Sequence, residues 1–159
     1  MFAGCATYTP SIPPGYTGPK ALLKDSVQTH TGSKSDFFVV TKLDGKKVED
    51  SLGVSRKENY GRGFQLSPLV LDREVPARPL TLSIVARTEY AAPILALTHA
   101  VYEVKGEVTF TPQENKVYVV TGTLGEQYSA VWIEDAETHQ LAAPKIEVNG
   151  SAKLGFLQK

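Results

Sequence analysis

Tyr102-Glu103-Val104-Lys105-Gly106-Glu107-Val108-Thr109-Phe110 alternates apolar with polar side chains, and Lys116-Val117-Tyr118-Val119-Val120-Thr121 resumes the pattern after Pro112-Gln113-Glu114-Asn115. A period of two places one set of side chains on a buried face and the other in water, which is the mark of a β-strand. Gly106 interrupts the first run and reads as a bulge. The Pro-Gln-Glu-Asn stretch reads as a turn, so the two runs are predicted to pair as a hairpin.

The same pattern recurs on both sides. Leu80-Thr81-Leu82-Ser83-Ile84-Val85-Ala86-Arg87 alternates cleanly, and Asp36 to Leu43 is dominated by aromatic and β-branched residues. Asp44-Gly45 follows, a pair that tolerates the positive φ of a tight hairpin turn. Tyr128 to Ile133, Leu69-Val70-Leu71, Lys145 to Val148 and Leu154-Gly155-Phe156 add shorter strand-like runs. Pro93-Ile94-Leu95-Ala96-Leu97 fits a buried strand or a short helix equally well, because periodicity does not separate them. Ser51 to Gly63 is polar and reads as a long loop. About eight to nine short strands at turn spacings of roughly 8–12 residues predict an all-β fold, an antiparallel β-sandwich. No segment carries an apolar helical stripe over three turns.

Composition bounds the function. The 159 residues fit one domain able to bury its own core. Seventeen basic residues balance seventeen acidic ones, which leaves no bulk electrostatic reason to bind nucleic acid. Cys5 is the one cysteine, so no intrachain disulfide forms.

The stretch from Ala6 to Pro19 is rich in Pro, Gly and Thr and cannot bury enough surface to offset its ordering entropy. It is predicted to be a disordered linker, giving a boundary between residues 1–18 and a sandwich domain over 19–159. Ala3-Gly4-Cys5 ahead of it resembles the lipobox of bacterial lipoproteins, in which two small residues precede an acylated cysteine. Phe2 stands where that family usually has leucine, and the family's charged and apolar leader stretches are not among these residues. The resemblance implies lipid attachment at Cys5. Ala6 is not the aspartate that often retains such proteins in the inner membrane, so it also implies the periplasm-facing outer membrane. Phe110-x-Pro112, Lys116-x-Tyr118 and Val131-Trp132-Ile133-x-Asp135-x-x-Thr138 resemble segments of small immunoglobulin-like or transthyretin-like sandwiches of such lipoproteins. That resemblance bears on the fold and says little about function.

Catalytic chemistry finds no constellation. His30, His99 and His139 lack a Gly-x-Ser-x-Gly partner motif, and a cysteine ahead of a linker has no scaffold to hold a base. No Cys-x-x-Cys or His-Glu-x-x-His spacing marks a metal. Glu134, Asp135, Glu137 and Thr138 offer oxygens for calcium, yet Asp135 and Thr138 capping their own turn accounts for them more simply. The expectation is a protein that is not an enzyme, with no cofactor and no metal.

Arg56, Tyr60, Arg62 and Phe64 place cations and aromatics on one loop, the residue types that dominate protein interfaces. They are the expected partner-binding surface of a non-catalytic envelope lipoprotein that serves a periplasmic partner protein. The plainer reading is a solvated connector with Phe64 tucked against the core. A second function class is a carbohydrate- or peptidoglycan-binding module that stacks sugar on Trp132 and nearby tyrosines, although a core position suits that tryptophan better. Composition does not set the oligomeric state.

Overall fold

The computed structural model describes residues 7–159. Ten strands form two sheets: β1 (Lys20–Lys24), β2 (Ser26–Thr31), β3 (Lys34–Leu43), β4 (Lys46–Lys47), β5 (Asp72–Pro76), β6 (Leu80–Tyr90), β7 (Glu103–Phe110), β8 (Val117–Thr123), β9 (Tyr128–Asp135) and β10 (Ile146–Asn149). Two helices interrupt them, α1 (Ser51–Asn59) and α2 (Pro93–Thr98). One sheet runs β10-β9-β8-β1-β5, and the other runs β2-β3-β6-β7 with β4 beside β3. The fold is the expected β-sandwich, with one departure from antiparallel order: β1 pairs parallel to β8.

The inward-facing alternates build the core. Leu80, Leu82, Ile84 and Ala86 of β6 are fully buried and pack with Leu23, Phe38, Val75, Val120 and Ile133. Gly122 of β8 makes room for one of them. A side chain there would come within 2.9 Å of the Phe38 ring and would also strike the Ala130 carbonyl. The Asp44-Gly45 turn joins β3 to β4 as predicted, with φ of 49° and 78°.

Five expectations are corrected. Gly106 marks no bulge, because β6 and β7 pair in unbroken register through it. Leu154-Gly155-Phe156 is not a strand. The runs on either side of Pro112 to Asn115 are not a hairpin. β7 belongs to one sheet and β8 to the other, so the turn is an arch between sheets. Phe110 and Tyr118 meet edge to face across it, with ring centroids 5.3 Å apart, and the Tyr118 hydroxyl accepts from the Gln113 amide. Alternation reports a buried face and not which neighbour a strand pairs with. Leu69-Val70-Leu71 is not a strand. It runs extended along α1, and pairing begins only at Asp72.

Ser51 to Gly63 is the last of them. Its first nine residues are α1, capped by the Asp50 carboxylate, which accepts from the Gly53 amide at 2.9 Å. The helix escapes a search for apolar periodicity because the stripe it buries is Ser51, Ser55 and Asn59. Leu52 alone adds apolar contact. With Leu66 it covers Phe37 and Val39 on the outer face of β3, which is why Ser35 to Val40 is buried on both faces.

Residues 7–19, the described part of the Pro-rich stretch, form no helix or strand, and the Thr9 amide donates to the Lys47 carbonyl.

Candidate functional site

The chain leaves α1 at Asn59 and returns to the body of the fold at Leu66. Both ends of this excursion are fixed. The Asn59 side chain donates to the Ser55 and Ser67 carbonyls and accepts from the Ser67 amide, each at 2.8 Å. The Leu66 amide donates to the Gly32 carbonyl at 2.8 Å. Between these anchors Tyr60 is 91% and Phe64 66% exposed, and Arg62 is exposed as well. Phe64 therefore does not tuck into the core edge. Three of the four residues singled out from the sequence share one pinned, outward-facing loop.

Arg56 is placed differently. It sits in the last turn of α1 and donates to both oxygens of Glu89 on β6, at 2.9 and 2.7 Å. The carboxylate's hydrogen bonds hold this guanidinium above its ordinary pKa despite partial burial. The pair forms part of the wall of a cleft of about 910 Å³ between the end of α1, the end of β6 and α2. Tyr60, Leu66, Tyr90, Pro93, Leu97 and Val101 give that cleft an apolar lining.

Helix α2 resolves the ambiguity of Pro93 to Leu97, and it buries none of its side chains. Ile94 is 55% and Leu97 43% exposed. Arg87 also lines the cleft. Its Nη1 donates to Glu103 Oε2 at 2.5 Å, and Glu103 is shared with Lys105 at 3.1 Å. Burial pushes the Glu103 carboxyl up, but Arg87 and Lys105 outweigh it and hold it below the ordinary carboxylate range. The Arg87 Nε is buried with no acceptor, the one such side-chain atom among the described residues. An unpaired buried donor costs about 1–3 kcal/mol.

Trp132 lies on the outer face of its sheet while Val131 and Ile133 enter the core, so the core position expected for it is corrected. The Lys145 ammonium sits 4.0 Å from the ring centroid, and the indole donates to Glu134 at 2.9 Å. One face of the ring is thus occupied by a cation. Asp135 caps its turn, accepting from the Glu137 and Thr138 amides, and pairs with Lys116 at 2.8 Å. His30 is in β2. Its Nε2 lies 2.6 Å from buried Asp36, which also accepts from Thr88. Among the described residues no cluster of three or more His, Cys, Asp or Glu side chains could hold a metal ion, and no helix is long and apolar enough to cross a membrane. Cys5, the expected lipid attachment point, lies outside the described residues.

Sequence reasoning left α2 as one of two alternatives and missed Arg87 and the cleft beside it. Arg87 closes an alternating strand, and nothing local marks the space above it. No protein-family model, curated protein or solved structure matches this chain.

Proposed function

We propose that this chain is a non-catalytic binding module of the bacterial cell envelope, anchored by acylation of Cys5 at the periplasmic face of the outer membrane, which docks a partner protein on the Tyr60–Phe64 loop. The observation that carries the docking surface is the exposure of Tyr60 and Phe64 on a loop whose two ends are hydrogen-bonded to the fold. Large aromatics left in water on an already ordered loop lose little further entropy on binding. Aromatics and arginine are also the side chains most often found as interface hot spots. Arg62 completes the set, whereas Arg56 is already paired with Glu89. The lipid anchor rests on the Ala3-Gly4-Cys5 resemblance. The sugar-binding alternative gains nothing from Trp132, because Lys145 occupies one face of the ring.

The test is photo-crosslinking from position 64 in intact cells that express the protein from its own gene. A discrete adduct that disappears with Arg62→Ala supports the reading, and an adduct pattern unchanged by Arg62→Ala reduces the loop to a connector. Fatty-acid metabolic labelling that is lost in Cys5→Ser supports the anchor. Equal labelling of both proteins, or of neither, removes it.

A further inference from the structure

The cleft beside α2 adjoins the loop without including its exposed Arg62 and Phe64. Tyr60, Gly61 and Gly63 line it. Its volume of about 910 Å³ lies within the roughly 300–1,000 Å³ of small-ligand sites. Two features indicate what it would hold. The first is its apolar side. Helix α2 reads Pro-Ile-Leu-Ala-Leu-Thr and fully buries no side chain, and its Ala96 and Leu97 line the cleft. Leu66, Tyr90 and Val101 continue that surface.

The second feature is charge. Arg56, Arg87 and Lys159 line the cleft against a single acidic side chain, Glu89. Arg56 spends its Nε and Nη2 on a bidentate pair with Glu89, and the Lys159 ammonium donates to the Leu97 and His99 carbonyls. Arg87 is the cation with a buried donor left unmatched. It reaches Glu103 through Nη1 alone and has no acceptor at Nε. Glu103 keeps Lys105 as a second partner, so Arg87 can turn toward a new acceptor without stranding a charge. Glu89 in the same wall disfavours a dianion.

We infer that the cleft binds a single-chain amphiphile with a carboxylate head, the head received by Arg87 and the apolar chain lying along Ala96, Leu97 and Val101. A carboxylate matches the planar guanidinium with two parallel hydrogen bonds, and the apolar side of α2 matches an alkyl chain.

Titrating the full chain with sodium decanoate, decyl phosphate, decanol and decyltrimethylammonium, followed by amide chemical shifts, tests this. Decanoate is expected to shift the amides of Tyr90, Ala91, Leu97 and Val101 saturably and to leave those of Val119 and Trp132 unmoved. It should bind at least tenfold more tightly than decanol or the ammonium amphiphile. Arg87→Gln should weaken decanoate at least tenfold and leave decanol unchanged. Leu97→Glu, on an exposed helix, provides the same loss if Arg87→Gln does not fold. Absence of a saturable shift overturns the site. Tighter binding of decyl phosphate, equal binding of the cationic amphiphile, or decanoate affinity unaffected by these variants overturns the carboxylate assignment. The loop reading is untouched by any of these results, since its test uses Arg62 and position 64.

Discussion

The Ser55 hydroxyl donates to the Leu69 carbonyl at 3.2 Å and accepts from the Leu69 amide at 2.8 Å, so a single helical side chain satisfies both backbone groups of an extended residue. The pattern repeats along α1. Ser51 Oγ accepts from the Leu71 amide, and the Asn59 side chain matches both backbone groups of Ser67. Four residues of helix rise about 6 Å and two residues of extended chain about 6.6 Å, so a polar stripe at every fourth position keeps step with alternate residues of the segment beside it.

Ser55→Ala removes both partners of Leu69 at once. The expected loss is about 1–3 kcal/mol of folding stability, with faster exchange of the Leu69 amide. Urea denaturation and hydrogen exchange measure the two. Glu58→Ala, at an exposed position of the same helix, should stay within about 0.5 kcal/mol.

Asp25 is the one residue between β1 and β2, where the chain changes sheets. Its buried carboxylate takes two hydrogen bonds from Arg73, two from Ser51 and one from the Val40 amide. Arg73→Met should cost about 3–5 kcal/mol, because it strands a buried charge. A denaturation midpoint equal to that of the parent protein would mean that the remaining hydrogen bonds hold the carboxylate without the ion pair.

Gly122→Val forces a branched side chain against the Phe38 ring and the Ala130 carbonyl. Overpacking of this kind typically costs about 1–3 kcal/mol. Thr121→Val, one residue away on the outer face, is the control, and thermal unfolding distinguishes them.

Lys116 is the main cause of the low Asp135 pKa, with help from the Thr138 and Glu137 amides, and together they hold it at about 2. A carboxyl lowered on folding stabilises the fold above its unfolded pKa and loses that contribution as pH falls through the folded one. The contribution should fade between about pH 4, the ordinary aspartate value, and about pH 2. In Lys116→Met the Asp135 carboxyl should titrate closer to pH 4, as read by carbon chemical shift. An unchanged midpoint would assign the depression to the backbone amides alone.

Arg62→Ala and Phe64→Ala should change stability by no more than about 0.5 kcal/mol, because both side chains are exposed. Thermal unfolding checks this. A larger loss for Phe64→Ala would mean that the ring packs against the fold in solution.

The sequence by itself determined the strands whose signal is local. β3, β6, β7, β8 and β9 are legible because alternation and turn residues act between near neighbours, and the Asp44-Gly45 turn is legible because its backbone demands those residues. It also placed Tyr60, Arg62 and Phe64 on one loop, since they adjoin in the chain. Beyond the Asp44-Gly45 hairpin, only the tertiary structure decided which strands pair. Phe110 and Tyr118 carry the same alternation whether the link between them is a hairpin or an arch between sheets. The face Trp132 occupies was open for a similar reason, since period two fixes two faces and not which of them is buried. Helix α1 was hidden because its buried stripe is polar, and Ser51, Ser55 and Asn59 have reason to be buried only once residues 67–71 lie beside them. The Arg87 cleft is the furthest from the sequence. Its walls come from α1, β6 and α2, and an unfilled space between elements leaves no mark on any one of them.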